Sequence, residues 1–147
     1  MNRFVIIVAG GSGQRMGSTI PKQFLNIHKE VILMKSISAF HLFDPEIQIV
    51  LALPEHQISY WNELCSKNNF KIEHFVVQGG ITRYQSVKNA LETINTDGMV
   101  AIHDGVRPLV SRETIKQVFD VATRNGNAVP YIDLVDSIRY IHNGINE

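Results

Sequence analysis

FVIIVAGGSGQRMGSTIPKQF, residues 4–24, decides how the rest of the chain is read. It opens on an unbroken apolar run, Phe4–Ala9, without the alternation of a strand that has one wet face. Such a run fits a parallel strand covered on both sides. Gly10, Gly11 and Gly13 follow at once, then Arg15, then Lys22 behind Pro21, and no acid falls between Gly10 and Lys22. In a parallel α/β sheet, ligands bind beyond the carboxyl ends of strands where the strand order reverses. Glycines there let backbone N–H groups of Gly11–Gln14 approach phosphate oxygens closely. Arg15 can fork onto those oxygens, and Lys22 adds a mobile point charge. Two common phosphate loops do not fit. Met16 stands where the dinucleotide fingerprint G-x-G-x-x-G needs its third small residue, and the Gly-Lys pair of the P-loop is absent.

Outward from this stretch, short β-branched runs alternate with helical patterns, the signature of an α/β domain. The runs are Phe4–Ala9, Gln48–Leu53, Phe75–Val77, Met99–His103 and Asn127–Tyr131. Helical periodicity fits Leu33–Phe43, Glu55–Lys67, Thr82–Ile94 and Arg112–Arg124, with Thr82 and Ser111 as N-caps. After Pro130, SIRYI reads as a strand and His142-Asn143-Gly144 as a tight turn, so a hairpin has begun by the last residues. An isolated hairpin is marginal, which calls for a second subunit or further chain to cover it.

The 147 residues amount to one domain with a sizeable core. A formal net charge of zero offers no global attraction to nucleic acid or an anionic membrane, and no apolar run approaches a membrane span. The N-terminus reads as a first strand rather than a signal peptide, and a lone Cys65 fits a reducing compartment, so the expected location is cytoplasmic. The six histidines show no metal-ligand spacing.

Two later stretches carry chemistry. Gln78-Gly79-Gly80-Ile81-Thr82-Arg83-Tyr84-Gln85-Ser86-Val87 joins a strand to a helix, where backbone groups and one hydroxyl can read a pyrimidine edge. A plain structural reading, in which Arg83 and Ser86 face solvent on a first helical turn, fits these residues as well. Val100-Ala101-Ile102-His103-Asp104-Gly105-Val106-Arg107-Pro108 ends an apolar strand in a polar turn. Asp104 can accept substrate hydroxyls or hold a magnesium ion, and Arg107 can clamp a phosphate; a turn locked by its own Asp–Arg ion pair is the structural alternative. His103 fits a hydrogen-bonded histidine at a strand end better than a catalyst.

Together these stretches resemble the cytidylyltransferases that form 4-diphosphocytidyl-2-C-methylerythritol in the non-mevalonate isoprenoid pathway. Ala9–Gln23 follows the family loop A-[A/G]-G-x-G-x-R-M…P-K-Q. Gly79, Gly80, Arg83, Ser86 and Val87 follow G-G-x-x-R-x-x-S-V, and residues 103–108 follow H-D-[A/G]-[A/V]-R-P. Ala128-Val129-Pro130 and Asp136-Ser137-Ile138-Arg139 are similar to V-P-x-x-D-[T/S]-[I/V]-[K/R], with extra residues inside. The resemblance implies a Rossmann-like nucleotidyltransferase fold, three-layered with a mostly parallel sheet, and a protruding β-arm beginning over residues 136–147. It implies a nucleotide held by Ala9, Gly10, Gly11, Ser12, Gly13, Gln14, Gly80, Ile81, Arg83 and Ser86, with the Ser86 hydroxyl on the base carbonyl. Ile81 departs from the polar residue common in the family, a change that a backbone contact survives.

The same resemblance implies Arg15 and Lys22 as the catalytic cations, and Asp104 and Arg107 facing a polyol phosphate. Ser137 would reach a neighbour's pocket in a homodimer built through the arm. Magnesium would be held mainly by the triphosphate, a contact from Asp104 being open. The substrates implied are CTP and 2-C-methyl-D-erythritol 4-phosphate. Ribitol 5-phosphate is the alternative acceptor, and a nucleotide-binding module without catalysis is the alternative class. Family members continue beyond the equivalent of residue 147 to return the arm and complete the acceptor pocket, so a longer native chain is expected.

Overall fold

A computed structural model of the chain describes residues 1–10, 20–133, 141–142 and 145–146, the last two pairs by backbone alone. Strand β1 spans Asn2–Val8, and a single 3-10 turn follows at Lys22–Phe24. Next come β2 (Asn26–Ile27), β3 (Glu30–Val31) and helix α1 (Ile32–Phe43). They lead to β4 (Gln48–Leu53), α2 (Glu55–Lys67), β5 (Phe75–Gln78) and α3 (Arg83–Leu91). The remaining elements are β6 (Gly98–Asp104), α4 (Arg112–Asn125), β7 (Ile141–His142) and β8 (Ile145–Asn146).

The main sheet is parallel, in the order β5-β4-β1-β6. The chain steps outward from β1 through β4 to β5, then returns to the opposite side of β1 for β6. The strand order therefore reverses between β1 and β6, which opens the crevice where α/β sheets bind ligands. Burial explains the unbroken apolar run of β1. Val5 and Ile7 pack with Ile49, Leu51 and Leu53 beneath Leu33 and Ile37 of α1, Trp61 of α2 and Ile115 and Phe119 of α4. Ile6 and Val8 face the other way, with Val50, Ala52 and Val77 beneath Ala90 of α3.

Both anticipated helix caps are present. Thr82 and Gln85 form a reciprocal capping box on α3, and Ser111 Oγ accepts the Thr114 N–H at 3.0 Å. Helix α4 ends at Gly126, whose φ of 88° supplies the left-handed cap. The short β2–β3 hairpin went unforeseen. Its turn is made by His28 and Lys29 at φ 49° and 72°, without the Asn-Gly signature that marks such turns in sequence. Of the expected terminal hairpin the described residues hold β7 and β8, which pair antiparallel as His142↔Ile145, while residues 137–140 and 143–144 lie outside them.

Asn127–Tyr131 is not a strand, contrary to expectation. Strand formation needs a ladder partner, and Pro130 has no N–H to give one. The segment instead runs exposed, with Val129 and Tyr131 at 84% and 86%. It borders an apolar trough of about 550 Å³ between β6 and α4. Strand β6, one of the sheet's two edges among the described residues, is also less covered than its sequence suggests, with Ile102 47% exposed. No helix among the described residues is long and apolar enough to cross a membrane.

Candidate active site

Three ladder-like hydrogen bonds stitch the starts of the candidate loops together at the carboxyl edge of the sheet. Ala9 N–H donates to Ala52 O at 3.0 Å, Gly79 N–H to Leu53 O at 2.7 Å, and Gly105 N–H to Val8 O at 2.8 Å. Parallel pairing in register brings Val8 opposite Asp104. A strand that begins only at Gly98, far along the chain from the end of β1 at Val8, thus delivers its terminal carboxylate beside the departure point of the glycine-rich loop.

Close packing makes two glycines of this edge necessary. A Cβ on Gly105 would lie 2.9 Å from both Ala9 Cβ and Leu33 Cδ1. The turn after β6 can therefore lie flat against β1 and α1, where the Ser36 hydroxyl of α1 donates to Gly105 O at 2.8 Å. A Cβ on Gly80 would lie 2.2 Å from Gln85 Cβ, so the turn entering α3 is pressed onto the helix's own first turn.

The second and third sequence blocks meet at Asp104. Arg83 donates to Asp104 Oδ1 through Nε at 3.3 Å and Nη2 at 3.1 Å, and Arg107 Nε donates to Oδ2 at 2.9 Å. The Asp–Arg turn lock weighed as a structural alternative is present, and Arg83 from a separate block joins it. With the Arg83 and Arg107 side chains 60% and 75% exposed, these ion pairs are weakly held and open to exchange with an incoming anion. Both oxygens of Asp104 are occupied by guanidinium groups. No group of three or more His, Cys, Asp or Glu side chains placed to hold a metal occurs among the described residues.

His103 lies behind this turn. Its Nε2 donates to Arg107 O at 3.0 Å and its ring stands edge-on to Phe40, 4.9 Å between centroids. Burial lowers its pKa from the ordinary value, only partly offset by the Arg107 carbonyl and the Asp104 charge. It braces the loop as a neutral ring, the role expected for it.

Ser86 is 6% exposed and turned inward. Its hydroxyl accepts the Gly80 N–H at 3.1 Å and donates to Thr82 O at 3.0 Å, so it shapes the glycine turn. Ile81 is 98% exposed at the crest of that turn. Lys22 is exposed on the turn that closes the first loop and makes no ion pair among the described residues. Ala9 and Gly10 stand at the exit of β1. Gly11, Ser12, Gly13, Gln14, Arg15 and Ser137 lie outside the described residues. Gln23, next to Lys22, and its partner Gln57, which sequence reasoning gave no role, are both buried; a glutamine adjoining a candidate catalytic lysine was the signal available.

An open parallel sheet with a reversal at β1, glycine turns at its carboxyl edge and a cluster of exposed cations there define a Rossmann-like nucleotidyltransferase domain. Within that class, the chain belongs to the 2-C-methyl-D-erythritol 4-phosphate cytidylyltransferase family (IspD), which it matches over residues 3–145. It is 48% identical over 141 residues to the family member from Bacteroides fragilis, covering 96% of this chain and 64% of that protein. It is 49% identical over 144 residues to that of Azobacteroides pseudotrichonymphae, covering 98% and 65%. The chain thus spans just under two thirds of the length of these relatives. The fold is shared with 4-diphosphocytidyl-2C-methyl-D-erythritol synthase from Anaerococcus prevotii, with a TM-score of 0.79 at 21% identity, covering 97% of this chain and 60% of that one. It is shared too with the bifunctional IspDF of Campylobacter jejuni, with a TM-score of 0.80 at 23% identity, covering 99% and 37%.

Proposed function

We propose that this chain carries out CTP-dependent cytidylyl transfer to 2-C-methyl-D-erythritol 4-phosphate, releasing pyrophosphate, as a step in non-mevalonate isoprenoid precursor synthesis. The observation that carries this reading is the meeting of Arg83, Asp104 and Arg107 at the β1–β6 reversal, in a chain 48% identical to a relative named for that reaction.

The reaction is a direct substitution at phosphorus. A phosphate oxygen of the acceptor attacks the α-phosphorus of CTP, the new P–O bond forms in line, and the bond to the β-phosphate oxygen breaks to release pyrophosphate. The attacking oxygen is already anionic near neutral pH, so no general base is needed. Catalysis reduces to positioning and charge stabilisation. Lys22 and Arg15 neutralise charge developing at the α-phosphorus and on the leaving group. Backbone N–H groups over residues 11–14 receive the remaining phosphates, and the turn at Gly80 and Ile81 reads cytosine. Arg107 exchanges its Asp104 partner for the acceptor phosphate, while Asp104 takes acceptor hydroxyls. Mg²⁺ would be held mainly by the triphosphate oxygens, where it would offset the charge of the leaving pyrophosphate. The enzyme is a cytoplasmic homodimer whose arm, with Ser137, completes the neighbour's pocket; nucleic acid and membrane play no part.

Pyrophosphate release from CTP, measured with methylerythritol phosphate and ribitol phosphate offered separately to the full-length protein, tests the reading. Release with the first acceptor alone, abolished by Lys22→Ala at saturating substrates, is expected. Release with ribitol phosphate alone would overturn the acceptor, and no release with either would overturn the reaction.

A further inference from the structure

Lys22 can act only if the turn that carries it is held in place, and the structure shows what holds it. In the 3-10 turn Lys22–Phe24, successive side chains point about 120° apart. Lys22 points to solvent while Gln23 and Phe24 are 1% and 4% exposed. Phe24 stacks on Trp61 of α2 at 6.2 Å and meets Tyr60 edge-on at 5.2 Å. Gln23 makes the polar half of the anchor. Its single Nε2 donates one hydrogen to Ala9 O and the other to Gln57 Oε1 of α2, both at 2.8 Å.

The first of these bonds joins the two ends of the glycine-rich segment. Ala9 is the residue from which that segment leaves β1, and Gln23 adjoins the lysine at which it returns. The bond is buried, so water does not compete for the Ala9 carbonyl. Glutamine suits the position by donor count: one amide supplies two hydrogens to two buried acceptors. Glutamate, of the same shape, would present oxygens to both.

We propose that Gln23 is a positioning residue for the transfer reaction: by clasping Ala9 and Gln57 it fixes the turn that carries Lys22 against the end of β1 and sets the reach of that lysine. The inference rests on the function proposed above. A lysine displaced by an ångström still attracts CTP, yet no longer meets the charge that develops during transfer, and misplacement on that scale costs about 100-fold in rate. Gln23 therefore affects turnover more than nucleotide binding.

The test is steady-state pyrophosphate release by the full-length protein bearing Gln23→Glu, Gln23→Leu or Gln57→Leu, with melting temperatures recorded alongside. For folded Gln23→Glu, kcat is expected to fall about 100-fold while KM for CTP changes by less than about threefold. Part of the loss should return as pH is lowered, because a protonated carboxyl regains one hydrogen for Ala9 O, and the unmodified protein should show no such recovery. Gln57→Leu keeps the bond to Ala9 and should fall between Gln23→Leu and the unmodified protein, which keeps the test usable if a Gln23 variant fails to fold. Turnover within about threefold of the unmodified protein in the folded variants, with Lys22→Ala inactive, would overturn the role of Gln23 and leave the reaction standing. Absence of turnover in the unmodified protein would overturn the reaction and the role together.

Discussion

Gly80→Ala puts the most sharply defined demand on the structure. The added methyl would lie 2.2 Å from Gln85 Cβ and 3.1 Å from the Gln85 carbonyl carbon. Favourable carbon–carbon contact lies near 3.5–4.0 Å, so the turn must retreat by about 1.3 Å or more. No rotamer change relieves the contact, because a Cβ moves only with its backbone. Retreat breaks the Gly80 N–H bond to Ser86 Oγ at 3.1 Å and pulls Thr82 from its capping box, in which Thr82 N–H donates to Gln85 Oε1 at 3.1 Å. Overpacking costs about 1–3 kcal/mol and a lost cap about 1 kcal/mol, together about 2–4 kcal/mol. For a chain of this size that lowers the melting temperature by about 6–12 °C. Circular dichroism melts would measure it, and titration calorimetry with CTP should show affinity falling at least about tenfold, as the turn proposed to read cytosine moves. Gly10→Ala, whose Cβ would meet nothing within 4 Å among the described residues, is the control and should melt within about 2 °C of the unmodified protein. A Gly80→Ala protein that melts alongside the control and binds CTP normally would refute the packing argument.

Other expectations follow from single sites. Asp104→Asn removes the charge that holds two largely exposed arginines, so melting should shift by only about 3 °C or less while turnover falls about tenfold or more; a large stability loss with normal turnover would make Asp104 purely structural. His103 has its pKa lowered by burial, so the unfolded chain takes up this proton more readily than the folded one. Its contribution to stability is present above the ordinary value of 6.5 and is lost as pH falls below it towards the lowered folded value, and His103→Gln should flatten that part of a denaturation-versus-pH curve. Burial pushes the Cys65 thiol up to about 11, so at pH 8 a disulfide reagent should modify the folded protein far more slowly than the urea-unfolded one, and equal rates would show the thiol open to solvent.

Local signals carried far into this protein. The apolar run Phe4–Ala9 announced a doubly covered parallel strand, and Thr82 and Ser111 announced two helix starts, because burial on both faces and orphan N–H groups leave marks on neighbouring residues. The three blocks with their glycines, arginines and lysine pointed to one family without any contact being known. The same local reading made a strand of Asn127–Tyr131, since β-branched composition says nothing about a ladder partner, and it passed over the turn at His28 and Lys29, where the tertiary setting imposes positive φ on residues that do not prefer it.

Who meets whom was decided by the fold. Arg83 and Asp104 stand 21 positions apart, and they pair because β5 and β6 lie on opposite sides of β4 and β1 while both end at the same carboxyl edge. Gln23 finds Ala9 and Gln57 because the Lys22–Phe24 turn lies against the end of β1 and packs on α2. Periodicity and motif report what each segment needs, burial or a flexible backbone or a charge. Which distant segment supplies the partner depends on strand order and register, and those are properties of the assembled sheet.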